Sequence, residues 1–203
     1  MLSSTHGIKE QFLSSGLIQS GAMIEGTRVN LRPVREEDLA TMESWGQGRA
    51  GLWGSYQRFQ LDHLARLQEA FAKDRMLTRD SGLLLIERRE DRRVVGLVRY
   101  ALASYPDADS RYPDIGFLIG DVGARGQGLA REAVALLVDY LFAGYPTERI
   151  AASTDIENEP ARRLLEALGF RLEGILRRAY FRDGRWSDLG LYSVLRSEWK
   201  KPA

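Results

Sequence analysis

The segment Arg125-Gly126-Gln127-Gly128-Leu129-Ala130 has the residue types of an anion-binding turn. It opens the most strongly helical stretch of the chain, in which Leu129, Ala130, Ala133, Val134, Leu137, Val138, Leu141 and Phe142 recur at spacings of three and four. At a helix start, several backbone N–H groups lack intrahelical partners and lie at the positive end of the helix dipole, a natural place for phosphate oxygens. Gly126 and Gly128 leave room for close approach, and Arg125 adds a fixed positive charge. A tight connection without a ligand is the alternative for an isolated pair of glycines. A dinucleotide fingerprint needs a further glycine where Arg131 stands, and it sits in βαβ units, whereas the preceding segments read as antiparallel strands. No glycine is followed by Lys and then Ser or Thr, which excludes a P-loop.

Other chemistries are poorly served. The sequence has no Cys, which removes disulfides, thiolate metal sites and a cysteine nucleophile. His6 and His63 lie far apart and outside any paired-histidine pattern, so no metal is expected, and His63 reads as a capping or surface residue. The formal charge of +1 does not point to a polyanion. Arg177, Arg178, Arg182 and Arg185 cluster with Tyr180, Phe181 and Trp186, but strand alternation divides them between two faces, and no nucleic-acid partner is expected. Apolar runs such as 83–86 fall short of the roughly 18 residues that cross a bilayer. No secretory leader pattern opens the chain, so a cytoplasmic protein without a membrane partner is expected.

A phosphate turn needs a sheet and a helix to hold it, and the flanking pattern supplies both. Residues 1–22 are polar and rich in small residues, an extension either disordered or docking through Ile8, Phe12, Leu13 and Leu17; the domain occupies 23–203. A strand at 29–31 is followed by a helix with Leu39, Met42 and Trp45 on one face, its start marked by Glu36, Glu37 and Asp38. After a glycine-rich, aromatic segment containing Trp53 and Tyr56, a second helix begins near Asp62 with Leu64, Leu67 and Phe71 aligned. Strands at 83–87 and 94–100 form an antiparallel hairpin, and 114–119 is the next strand, ending in the glycine-bearing loop. Beyond the long helix come a strand at 150–153 and a helix at 158–168 with Pro160 early and Gly169 just past its end. Strands at 171–182 and 186–195 flank Asp183-Gly184-Arg185.

Ordered motifs now converge. Arg125-Gly126-Gln127-Gly128-Leu129-Ala130 resembles the R/Q-x-x-G-x-G/A signature of the GCN5-related N-acetyltransferases, whose loop holds the pyrophosphate of acetyl-CoA. The run from Asn158 to Gly169-Phe170 is similar to the family's second motif, and Leu31-Arg32-Pro33 with Glu37-Asp38-Leu39 to its opening. The closing stretch, Glu173-Gly174-Ile175-Leu176-Arg177 through Asp183-Gly184-Arg185-Trp186 to Asp188 and Tyr192, resembles the branch containing ribosomal-protein N-terminal acetyltransferases. The resemblance covers residues 23–203. It implies an α/β (α+β) fold: a mixed, mostly antiparallel sheet flanked by helices, splayed at the acetyl-CoA strand and closed by a C-terminal β-hairpin. It also implies transfer of an acetyl group from acetyl-CoA to a primary amine, with a protein N-terminal α-amine as the branch's acceptor. A small-molecule amine or antibiotic, and a catalytically weak CoA-binding regulatory module, are the alternatives. A homodimer is expected from the family.

The resemblance assigns roles residue by residue. Pantetheine inserts beside 115–119, giving Leu118 and Ile119 backbone contacts, while Arg125, Gly126, Gln127, Gly128, Leu129 and Ala130 hold the pyrophosphate. Asn158 either touches the pantetheine arm or caps its helix, and Arg163 either reaches a CoA phosphate or is an exposed helix arginine. Asp114 stands where relatives carry an acid and is the candidate base, with a strand-end ion pair as the other reading; Glu87 and Asp188 are weaker candidates. N–H groups around Leu118 are placed to stabilise an oxyanion. The sequence departs from relatives at Leu165, where a tyrosine often protonates the leaving thiolate, and at Ala161, a serine in part of the family. Tyr192 is the replacement candidate for the acid, against a role as a core tyrosine.

Overall fold

The computed structural model describes residues 23–46, 63–182 and 184–201. The expectations for the extension 1–22 and for the segment around Trp53 and Tyr56 lie outside the described residues. Along the chain run β1 (Ile24–Glu25), β2 (Val29–Pro33), α1 (Asp38–Gly46), α2 (His63–Asp74), β3 (Ser81–Arg88), β4 (Val94–Ser104), β5 (Arg111–Ile119), α3 (Leu129–Gly144), β6 (Arg149–Asp155), α4 (Glu159–Ala167), β7 (Arg171–Arg182) and β8 (Arg185–Leu195). The strand seen in sequence at 114–119 starts earlier, because β5 pairs with β4 from Arg111 onward; Asp114 therefore lies within the strand instead of at its entrance. Arg185 belongs to β8, so the closing turn is shorter than the three residues read in the sequence.

The strands form one eight-stranded sheet in the order β1-β2-β3-β4-β5-β6-β8-β7. All neighbours are antiparallel except β5 and β6, which α3 connects in parallel, as the chain must when a crossover separates two strands of one direction. Period-2 alternation gives the sheet two apolar faces. On one, Val134, Leu137, Val138 and Leu141 of α3 and Leu165 of α4 pack on Ile86, Val98, Ile115 and Ile150. On the other, Leu39, Met42 and Trp45 of α1 and Leu67 and Phe71 of α2 cover Leu85 and Leu97. No helix among the described residues is long and apolar enough to cross a membrane.

One buried ionic cluster ties the second face together. Arg32 on β2 donates to both carboxylate oxygens of Asp38 at 2.7 and 2.8 Å and, through Nε, to Glu87 on β3 at 2.9 Å. Asp38 also accepts from the Arg35 N–H at 2.8 Å, which fastens the start of α1. Hydrogen bonding to Asp38 holds the Arg32 guanidinium above its usual pKa. Glu87 is thus a structural anion, paired on its other oxygen with Arg92 at 2.9 Å. Removing one member leaves an uncompensated buried charge, so Asp38→Ala is expected to lower the unfolding free energy by about 3–5 kcal/mol in urea titrations. Removing Glu159, an exposed ion-pair partner of Arg163, should cost less than about 1 kcal/mol.

Candidate active site

The sheet opens between β5 and β6. Their pairing is confined to Asp114↔Ala151 and Ile115↔Ala152, after which β6 stays bonded to β8 through Asp155 while β5 stays bonded to β4 through Ile119. A wedge results, with one edge of β5 exposed along its last residues. The Gly120 N–H donates to the Val95 carbonyl at 2.9 Å, and strand alternation then turns the amide groups of Gly116 and Leu118 toward β4. Those of Phe117 and Ile119 face the wedge. Leu118 packs its side chain with the α1 and α2 core, whereas Phe117 and Ile119 lean toward α3. Phe117, not singled out in the sequence, therefore presents the amide that the sequence reading placed at Leu118. The Ile119 carbonyl already accepts from Arg125 Nε at 3.1 Å, a brace between the strand end and the loop.

The loop beyond β5 is built to keep its shape without covering its surface. Asp121 accepts from the Gly123 N–H at 2.9 Å and caps a short 3-10 turn, Val122–Ala124. The Gln127 amide donates to the Gly123 carbonyl at 2.8 Å. Gly126 and Gly128 have φ of 72° and 77°, the left-handed region that L side chains rarely adopt. Gly128 is also the N-cap of α3, and no side chain caps it, so the first N–H groups of the helix are open to a ligand. A Cβ built on Gly126 would meet nothing within 4 Å, and one on Gly128 only Arg28 Nη1 at 3.5 Å. Leu129 is buried beneath the loop and Ala130 half-buried beside it. Glu132 of the first turn accepts from the Thr27 and Arg28 N–H groups at 2.6 and 2.8 Å, anchoring α3 to the β1–β2 turn.

The two candidate catalytic side chains lie on opposite faces of the sheet. Asp114 shares the parity of Leu118 and points toward the α1 and α2 side. Burial pushes its carboxyl above the ordinary range, and the charge of Arg99 partly opposes that shift. Tyr192 on β8 belongs to the α3 core, 2% exposed. Its phenol accepts from Arg162 Nε at 3.0 Å and lies 3.5 Å from a carboxylate oxygen of Glu166, both on α4. Arg162 also holds the Ile156 carbonyl at 3.0 Å, just before α4. Asn158 caps α4, accepting from the Ala161 N–H at 3.3 Å. Arg163 is exposed and paired with Glu159. Asp188 accepts from the Arg178 N–H at 2.8 Å and supports a bulge in β7, where Arg178 has a φ of 50°. Arg99 and Arg162 were not singled out in the sequence; Arg99 is marked there as a charge inside an otherwise apolar strand, whereas Arg162 is one of four charged residues in α4 and carries no such mark.

A split sheet beside a glycine turn at a helix start defines a class. Residues 28–171 match the family model described as an acetyltransferase (GNAT) domain, and the chain belongs to that family and is an acyltransferase. It is 29% identical over 175 residues to an uncharacterized N-acetyltransferase, p20, of Bacillus licheniformis, a match spanning 85% of this chain and 95% of that protein. The fold is shared with the ribosomal-protein-S5-alanine acetyltransferase of Vibrio fischeri, at 21% identity and a TM-score of 0.69 over 89% of this chain and 100% of that one. It is shared equally with the spermidine N-acetyltransferase of Vibrio cholerae solved with CoA and spermine, at 24% identity and a TM-score of 0.67 over 85% of this chain and 98% of that one. The mixed sheet with its flanking helices is the fold that the sequence resemblance implied.

The loop geometry makes a direct test possible. Gly128→Val both forces a strained backbone, at about 1–2 kcal/mol, and fills the space above the turn. Gly128→Asn tolerates the left-handed region, so its effect isolates obstruction. Calorimetry should show weakened acetyl-CoA binding in both folded variants; unchanged affinity in both would exclude the turn as the phosphate site.

Proposed function

We propose that the chain transfers the acetyl group of acetyl-CoA to a primary amine, with a protein N-terminal α-amine as the acceptor class. The observation that carries this reading is the meeting, at the end of β5, of an open strand edge with an unobstructed left-handed glycine turn at the start of α3. Acetyl-CoA supplies an activated acetyl thioester. The N–H groups of the 126–130 turn would hold its phosphates, with Arg125 bracing the turn to Ile119. The amides of Phe117 and Ile119 would pair with the pantetheine arm across the wedge. Asn158, whose Oδ1 caps α4, would offer its amide nitrogen to the same arm, and Arg163 would exchange Glu159 for a CoA phosphate.

The amine must lose a proton as it forms the new C–N bond, and the departing sulfur must be stabilised. Asp114, reached from the α1 and α2 face, takes the amine proton through water. The Tyr192 phenol, held by Arg162 and Glu166 on the opposite face, is the proton donor to the thiolate. Leu165, the position that carries tyrosine in many relatives, is 1% exposed and adds only hydrocarbon. With an alkyl thiol pKa near roughly 8.5, the thiolate leaves tolerably even without that donor. An α-amine, with a pKa of roughly 7.7 to 8.0 against about 10.4 for lysine, needs the least help from such a base. We also propose a homodimer, supported by the exposed Leu172, Ile175 and Leu176 on the edge strand β7. Thiol release from acetyl-CoA across peptides, polyamines and aminoglycosides, with mass spectrometry of the products, tests the reading; no release with any amine would overturn it.

Asp114→Asn separates chemistry from folding. The base must be ionised, so turnover falls as pH drops through the raised pKa of Asp114. The substitution should remove that acidic limb and lower turnover by about 100-fold or more, leaving acetyl-CoA affinity nearly unchanged. The folded carboxyl binds its proton more tightly than the unfolded one, so Asp114 opposes folding increasingly as pH rises above the ordinary carboxylate range. Thermal unfolding should accordingly find Asp114→Asn more stable than the parent at neutral pH, with the gain fading in acid. Normal turnover with an unchanged pH profile would exclude Asp114 as the base.

A further inference from the structure

Arg99 lies on the α1 and α2 side of the wedge with a guanidinium that is unpaired among the described residues. It sits on β4 opposite Gly116, the first residue of β5 beyond the last pairing with β6. A Cβ on Gly116 would lie 2.8 Å from Arg99 Nε and 3.2 Å from its Cζ, so the guanidinium lies across the glycine at the mouth of the split. The side chain is exposed, and among the described residues it makes no hydrogen bond or ion pair; it acts on Asp114 only through its field. Other charges on this face are engaged. Arg149 pairs with Glu173 at 3.3 Å and stacks on Tyr112, Glu173 also bonds Ser193, and Asp155 accepts from the Glu157 N–H at 2.8 Å.

A CoA phosphate does not explain Arg99. Gly116 lies four residues before the loop at Gly120, roughly 13 Å at the usual strand rise, and Arg99 faces away from α3. A purely structural role leaves a permanently charged fork, unpaired among the described residues, beside a carboxylate at the point where the acceptor of the proposed reaction would arrive.

We propose that Arg99 selects acceptors that carry an anionic group close to the reacting amine, the ammonium being received by Asp114 and the anion by the guanidinium. This rests on the acetyltransferase reading above and names its substrate class. A polycation such as spermidine meets like charge at the same place. Two sources share the favoured chemistry: a free acidic amino acid, or a protein N-terminus with acidic residues directly after the α-amine.

The test uses the intact chain with acetyl-CoA and measures kcat/KM by thiol release. Acceptors are glutamate, its diamide (glutamine α-amide, which carries no carboxylate), spermidine, and two peptides that begin with serine, one followed by aspartates and the other by lysines. The acidic acceptor of a pair should be favoured by about tenfold or more, chiefly through KM, and the preference should shrink with added salt. Arg99→Glu should invert the preference, Arg99→Gln should bring the pair within about threefold, and Arg99→Lys should retain most of it. Turnover of glutamate alone identifies a small-molecule acceptor, and turnover of the acidic peptide alone identifies a protein N-terminus; both support the proposal. Equal use of acidic and basic acceptors, or a preference that survives Arg99→Glu, overturns the role of Arg99 while leaving acetyl transfer standing. Absence of thiol release with every acceptor overturns both readings.

Discussion

The loss of pairing between β5 and β6 beyond Ile115 is the constraint on which the rest of the architecture turns. Backbone N–H and C=O groups must find partners, and a strand bonded on one edge only leaves a row of them unmet. β4 holds the other edge of β5 as far as Ile119, so the exposed groups stay in register and do not collapse onto one another. α3 then begins at the strand's end with its own unsatisfied N–H groups. Two sets of open backbone donors thus lie end to end, which suits an elongated ligand with amides along one part and phosphates at the other.

The surrounding interactions serve to keep that opening fixed. Arg125 ties the loop to Ile119, and Glu132 ties the first turn of α3 to the β1–β2 turn. On the far side, Arg162 links the β6–α4 connection to β8 through Ile156 and Tyr192. The Arg32 cluster performs the same service for the α1 and α2 face, locking the start of α1 to β2 and β3. Buried ion pairs of this kind specify geometry more than they add stability, because desolvation offsets much of their attraction.

The two candidate catalytic side chains divide between opposite faces of the sheet. Asp114 and Arg99 share the side covered by α1 and α2, while Tyr192 and α4 lie on the side of α3. In the proposed reaction, a proton removed from an amine and a proton given to a sulfur would travel by separate routes, with the wedge between them. The two charges on the α1 and α2 side stand at diagonal positions of β4 and β5, which gives that face a polarity no single residue would supply.

Much of this was legible in sequence because it depends on short-range rules. The periodicity of α3, the glycine turn before it, Pro160 and Gly169 at the two ends of α4, and the hairpin of β3 and β4 all follow from backbone sterics and patterns within a few residues. The class of protein follows from the same segments, taken in order. Other features needed tertiary structure, because they depend on which strand borders which. The parity of β5 is visible in its residues, but only its two neighbours decide that Phe117 faces the wedge and Leu118 faces β4. Glu87 reads as a possible base until Arg32, 55 residues away, is found against it. Arg99 is one charged residue in an apolar strand until Gly116 and Asp114 are set beside it. Local sequence determined the elements and the glycine turn; long-range packing, which alone sets strand neighbours and the side each residue faces, decided which side chains meet at the candidate site.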